Sequence, residues 1–324
     1  MANTKDIQRR IKSISNTKKI TKAMEMVAAS KMRKAIEAVL RTRTYANLSW
    51  ATVLNLSQAV NGNSQEPHPL LTKREKIKKI GIILIASNRG LCGGFNAAII
   101  NKTQESIKKH QYIGEKIVIE AEFILMGKKG AAVHHYYGHN IAAEFPKLDL
   151  ASEISEIAPV ARMIIREYLA GKYDKIMVAY TDYVNASKQI PRVKQLLPVD
   201  ITTEDEYLGI VGKDTRLGID KEFIEKKKRG HLADEKYVYE YTFEPSPKEV
   251  LDEMIPRLIE VQLYQALLES NASEHSARMA AMHQATDAAN DMVNELTLFY
   301  NKARQASITA EIAEISAGAN ALAK

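Results

Sequence analysis

Two stretches at opposite ends of this chain contain neither proline nor glycine, one from Thr4 to Asn61 and the other from just after Pro256 to Ala317. At 1.5 Å rise per residue such runs predict helices of roughly 85 and 90 Å, several times the usual globular length. A compact domain needs no helix that long to bury a core. The chain therefore reads as a shaft whose first and last helices lie side by side, with a compact α/β domain between them.

The apolar periodicity gives each helix a seam. In the first, Ile7, Ile11 and Ile14 are followed by Ile20, Met24 and Val27, then by Met32, Ile36 and Val39. The step from Ile14 to Ile20 breaks a strict heptad, which predicts a seam that drifts around the helix. The last helix opens on Ser246-Pro247-Lys248-Glu249, with Ser at the cap, Pro at the first helical position and Glu at the third. Its apolar row runs through Val250, Met254, Leu258, Val261, Leu268, Met282, Ala285, Ala289, Met292, Leu296, Phe299, Ala303, Ala306 and Ala313, with gaps. Pro256 is expected to kink it and Gly318 to close it.

Between the helices, Lys79–Ala86 is a continuous apolar run of the kind buried on both faces of a parallel sheet. A turn at 87–94 leads into a helix from about Phe95 to His110. A strand at Ile117–Ile119 or through Leu125, a short helix near Lys128–His135, a strand at Ile141–Phe145, a helix from Glu153 to Ala170 and a strand at Lys175–Tyr183 continue the alternation. Gln189–Leu197 adds an edge strand. This alternation predicts a Rossmann-like α/β domain over 76–200, flanked by helices over 1–61 and 246–324. Residues 203–236 break it, with dense charge and four glycines, and read as a surface insertion; Tyr237–Phe243 alternates as a short strand.

Charge is uneven. The chain carries +7, yet residues 1–45 alone hold twelve Lys/Arg against three acidic residues, while 271–324 hold four against six. The partner of the first helix is therefore expected to be acidic. With no aromatics interleaved between Met1 and Arg43, an acidic protein collar fits better than nucleic acid. A single cysteine, Cys92, leaves no internal disulfide and fits a reducing compartment. The polar, basic start shows no secretory signal, and no window matches a bilayer-spanning run.

The tempting reactive features are weak. Gly90-Leu91-Cys92-Gly93-Gly94 matches neither nucleotide-binding glycine pattern, so a packed tight turn is favoured over a phosphate cradle. His134, His135 and His139 cluster, but Gly138 interrupts their face and no metal site is expected. Neither a base for Cys92 nor a carboxylate pair is identifiable, and no cofactor is expected. A nucleic-acid-binding coiled coil and a nucleotide-binding enzyme with a helical dimerisation arm remain as alternatives at this point.

Three motifs carry a resemblance. Ile20-Thr21-Lys22-Ala23-Met24-Glu25-Met26-Val27-Ala28-Ala29-Ser30-Lys31-Met32, then Ser87-Asn88-Arg89-Gly90-Leu91-Cys92-Gly93-Gly94-Phe95-Asn96, then Ser273–Met282 with Leu296–Ala306, resemble in order the signatures of the gamma-chain family of the F-type ATP synthase. The 203–236 stretch is longer than that pattern. The resemblance implies an antiparallel coiled coil of the terminal helices inside three alpha and three beta chains. It also implies contacts of the α/β domain with the epsilon chain and the membrane c-ring, at the cytoplasmic face of a bacterial inner membrane. Chemistry would belong to the beta chains. Carried over by motif, Met24 with Lys22 and Lys31 would face an acidic beta segment. Arg304 and Gln305 would hydrogen-bond a beta loop, Arg278, Thr309, Glu311 and Glu314 would form a coupling cluster, and Tyr241 and Glu244 would meet the c-ring.

Overall fold

The computed structural model describes residues 4–61, 68–72, 74, 77–112, 120–149, 153–199, 244 and 246–322. The 203–236 insertion, the strand expected at Tyr237–Phe243, the strand start at Ile117–Ile119 and Tyr241 lie outside the described residues. In chain order the elements are α1 (Thr4–Asn61), β1 (Lys79–Ile85), α2 (Phe95–Tyr112), β2 (Glu120–Met126), α3 (Ala132–Tyr137), β3 (Asn140–Phe145), α4 (Ala158–Leu169), β4 (Lys175–Asn185), β5 (Lys188–Leu197) and α5 (Pro247–Leu322). They divide into two compact units, one of Met1–Ala29 with Arg278–Lys324 and one of Ser30–Ala277.

In the larger unit the five strands run in the order β3-β2-β1-β4-β5. The first four are parallel, and β5 returns antiparallel on the edge of β4. Because strand side chains alternate, one sequence fills two cores. Ile83, Ile85, Ile124, Met126, Ile176 and Val178 pack on one face with α4, Val39 and the 251–268 stretch of α5. Ile80, Ile82, Leu84, Phe123, Leu125 and Met177 pack on the other with α2 and Val133 of α3. At the end of β2, Gly127 turns the chain with φ 104°, and a Cβ there would lie 2.3 Å from the Ala86 carbonyl oxygen.

Two expectations about helices need correction. The helix expected from Glu153 to Ala170 is a 3₁₀ turn (Ile154–Glu156) followed by α4. Pro159 lacks an N–H and its ring would meet the Ser155 carbonyl in a continuous helix, so the helix restarts around it. Gly318 does not end α5, which continues to Leu322; an interior glycine costs only about 1 kcal/mol relative to alanine. The Ser246 cap is present: its Oγ accepts the Glu249 N–H at 3.3 Å, with Pro247 at the first helical position.

The smaller unit is an antiparallel helix pair. Lys18 Nζ donates to Asn290 Oδ1 at 2.7 Å, Thr286 donates to Thr21 Oγ1 at 2.8 Å, and His283 Nδ1 lies 3.3 Å from Glu25 Oε1. Positions climb on α1 as they fall on α5, in alternating steps of three and four. Carried onward, this register sets Ile14 against Val293, Ile11 against Leu296, Ile7 against Tyr300 and Thr4 against Ala303, all half-buried. The seam of α1 therefore does not drift. It keeps a heptad by passing through Lys18, Thr21 and Glu25 to the buried Ala28, whereas Ile20 and Val27 are 61% and 56% exposed. On α5, Val293 and Tyr300 hold the inward places expected of Met292 and Phe299.

Candidate functional site

The crevice where strand order reverses, at the carboxyl end of β1, is where open α/β sheets usually bind ligands. Here the chain's own groups fill it. The Ser87 N–H, which a phosphate cradle would leave free, donates to Asn96 Oδ1 at 3.0 Å. Asn96 Nδ2 reaches Ser87 Oγ at 2.7 Å and Cys92 Sγ at 3.3 Å, and Cys92 is buried. Leu91 and Gly93 take left-handed backbone to make the turn. In the histidine cluster, His134 Nδ1 donates to the His139 carbonyl at 2.9 Å, and His139 packs on Phe123 with its pKa pushed down by burial.

What the motifs build instead is a mechanical junction. The segment Lys147-Leu148-Asp149, just after β3, is the meeting point of all three. Lys31 of α1 donates to Asp149 Oδ2 at 2.7 Å, and Asn88 of the β1 loop donates to the Lys147 carbonyl at 2.5 Å. Glu274 of α5 accepts from Lys147 Nζ at 2.5 Å, His275 Nε2 donates to the Asp149 carbonyl at 2.9 Å, and Asn271 Nδ2 donates to the Leu148 carbonyl at 3.3 Å. The Lys31 hydrogen bond outweighs partial burial and holds the Asp149 carboxyl below its usual range. Periodicity could not reveal this junction, because its members come from four elements. The available signal was the gap in the apolar row of α5 between Leu268 and Met282.

The candidate contact residues divide between the units. In the larger one, Lys31 donates to Asp149 while its side chain stays 30% exposed, and Glu244 is exposed. On the helix pair, Met24 is half-buried beside the seam, and Lys22 is tied to Glu25 at 3.0 Å, which holds the Glu25 carboxyl below its usual range. Arg278 is half-buried. Arg304, Gln305, Thr309, Glu311 and Glu314 all lie beyond Ala303, where every described residue through Ala319 is exposed. The Gln305 carbonyl accepts the Thr309 hydroxyl at 2.9 Å. Ile308, Ile312 and Ile315 form an uncovered stripe on the same segment, 48%, 62% and 73% exposed. Exposed Ile20, Met26, Val27, Leu298 and Phe299 extend the apolar surface of the pair, among exposed Lys5, Arg9, Arg10, Lys12 and Lys19. A surface both apolar and basic is one that a partner covers.

Comparison with known proteins agrees with this picture. A family model described as ATP synthase matches residues 3–322. The ATP synthase gamma chain of Legionella pneumophila (strain Corby) is 39% identical over 322 residues, covering 99% of this chain and 100% of the relative. That of Chloroflexus aurantiacus (strain ATCC 29366 / DSM 635 / J-10-fl) is 38% identical over 325 residues, covering 99% of each. Among solved structures, the OSCP/F1/c-ring assembly of the Euglena gracilis mitochondrial ATP synthase contains a chain with TM-score 0.61 at 17% identity, covering 98% of this chain and 94% of that one. The central stalk/c-ring structure of the Tetrahymena thermophila enzyme gives TM-score 0.56 at 20% identity, covering 82% and 99%.

Proposed function

The chain belongs to the ATP synthase gamma-chain family, and on that premise we propose that it is the central rotor shaft of an F-type ATP synthase. It couples proton flow through the membrane c-ring to ATP synthesis and hydrolysis by rotation. It is not catalytic itself, since the active sites lie on the beta chains. Its partners are the three alpha and three beta chains of the head, the epsilon chain and the c-ring.

One observation carries the reading. The helix pair satisfies its own seam and still presents large apolar residues and basic charge outward, as a shaft surrounded by a collar must. An off-axis shaft acts by differential contact: each orientation favours a different conformation of each beta site, so rotation drives the three sites through their states in turn. We assign head contacts to Met24, Lys22 and Lys31, to Arg304 and Gln305, and to a coupling group of Arg278, Thr309, Glu311 and Glu314. The c-ring side is assigned to Glu244 and Tyr241. No helix among the described residues is long and apolar enough to cross a membrane. We assign it as a peripheral subunit to the cytoplasmic face of a bacterial inner membrane, a reading that similarity to bacterial ATP synthase gamma chains supports.

Affinity capture of the tagged chain from its native membranes, with ATPase assayed in the recovered complex, tests this. Recovery of alpha and beta chains with ATPase activity is expected. ATP hydrolysis by the isolated chain, or capture without alpha and beta, overturns it.

A further inference from the structure

Every residue of α5 from Val261 to Ser276 is buried, so this stretch is enclosed on all sides within the larger unit. Its first part packs Leu263, Leu267 and Leu268 against the sheet, after Leu258 and Ile259 in the preceding turn, and its buried Gln265 donates within the helix to Glu269 at 2.8 Å. The driving force of such apolar packing is non-directional, and it sets no hydrogen-bonded register on the sheet. The last turn and a half, Asn271–Ser276, is held differently.

At about 100° per residue, Asn271, Glu274 and His275 share one side of the helix, and Ser273 and Ser276 share the opposite side. The first three are gripped by the Lys147–Asp149 segment. The two serines are gripped from across the helix. Ser273 Oγ donates to the Thr181 carbonyl of β4 at 3.1 Å, and Ser276 Oγ donates to the Ala186 carbonyl in the β4–β5 turn at 2.8 Å while accepting from Gln189 Nε2 at 3.2 Å. Directional bonds on opposed sides oppose both rotation and axial slip. The Lys147–Glu274 pair is 1% and 5% exposed. A buried ion pair is weak evidence for stability, because apolar residues of similar volume often do as well; what it defines well is position.

From this geometry we propose that the two-sided polar grip on Asn271–Ser276 is the torque clasp of the shaft. It fixes the rotational and axial setting of α5 in the α/β domain, so that a turning moment on the domain passes into the continuous helix that leads on to residues 278–322. The proposal rests on the rotary function above. Lys147, Ser273, Glu274 and Ser276 act as positioning residues.

The test uses the complete ATP synthase reconstituted in liposomes, with the wild-type chain, with Lys147→Met/Glu274→Met, and with Ser273→Ala/Ser276→Ala. ATP hydrolysis in the presence of uncoupler, ATP-driven proton pumping, and thermal stability are measured for each. Uncoupled hydrolysis per assembled complex is expected to stay within about twofold of wild type, while the serine pair lowers the melting temperature because it strands buried carbonyl acceptors. The ratio of pumping to hydrolysis is expected to fall at least threefold in each variant. A wild-type ratio in the variants that assemble overturns the clasp; if the methionine pair does not assemble, the serine pair decides alone. A lowered melting temperature with a wild-type ratio assigns these residues to stability and also overturns it. If the wild-type chain gives no coupled complex with alpha and beta, the rotary function itself fails, which is a distinct result.

Discussion

Thr286 donates its hydroxyl to Thr21 across the helix pair at 2.8 Å, and Thr21 passes its own to the Lys18 carbonyl at 3.0 Å. The pair sits between the Lys18–Asn290 and Glu25–His283 bridges, so three successive levels of the seam are polar. An all-apolar seam would tolerate a shift by one heptad, whereas polar partners at a few levels match in one register only. In a shaft that is loaded along and around its axis, that definition of register is of more use than the stability an apolar seam would add.

Thr286→Val should therefore cost about 1 kcal/mol, the usual net value of one hydrogen bond, because it leaves Thr21 without its cross-helix donor. Thr21→Val/Thr286→Val should return to within about 0.5 kcal/mol of wild type, since replacing both partners by apolar groups of like shape is close to neutral. Urea denaturation of the full chain followed by circular dichroism measures both. A double loss equal to the sum of the singles would mean that the two hydroxyls do not interact.

The polar seam also marks the limit of what was legible in the sequence. The two long helices, the strands and the Ser246 cap could be read because each depends on neighbours close in sequence: absent prolines, apolar runs, a serine three residues before a glutamate. Apolar periodicity pointed to Ile20 and Val27 as seam residues, but they face outward where a partner would sit, and Lys18, Thr21 and Glu25 take the inward places. Their complementarity lies more than 250 residues away in the chain, so nothing local announces it. Lys147 and Asp149 were missed for the same reason, since a short segment after a strand has no period to betray its role. The surface residues Arg304 and Gln305 rest on motif alone, and their exposure is information that only the fold supplies.

Gly127 is fixed by two constraints at once, a left-handed φ of 104° and the Ala86 carbonyl oxygen 2.3 Å from where a Cβ would stand. Gly127→Ala should destabilise the α/β domain by about 2–4 kcal/mol, through backbone strain added to a clash with main chain that cannot move without breaking the β1–β2 pairing. Gly90→Ala, where a Cβ meets nothing within 4 Å, should change stability by under about 1 kcal/mol. Comparing denaturation midpoints of the two variants isolates the steric effect.

Asp149 links stability to pH. The Lys31 hydrogen bond keeps its folded carboxyl below the unfolded value of about 3.9. The contribution is therefore complete above that unfolded value and is lost as pH falls through the lower folded one. Asp149→Asn should remove it. The stability gap between wild type and variant should be widest near neutral pH and should narrow as pH falls below the unfolded value of about 3.9. A gap that stays constant over that range would mean that the carboxylate charge plays no part.

Arg304 and Gln305 stand just past the last paired position, Ala303, on a helix that is exposed from there through Ala319. Nothing in the chain's own fold depends on the Arg304 side chain being there, so Arg304→Ala/Gln305→Ala should leave the melting temperature of the isolated chain within about 1 °C of wild type, as surface changes usually do. If Arg304 and Gln305 bond a beta loop as proposed, the same change in the assembled enzyme removes polar contacts worth about 1–3 kcal/mol. If those contacts form in the transition between rotary states, ATP turnover should fall roughly 5- to 150-fold while the subunit composition stays the same. If they form equally in every state, binding of the shaft weakens and turnover per assembled complex is unchanged. Measuring turnover per assembled complex alongside shaft retention separates these cases, and the rotary assignment of these two residues predicts the first.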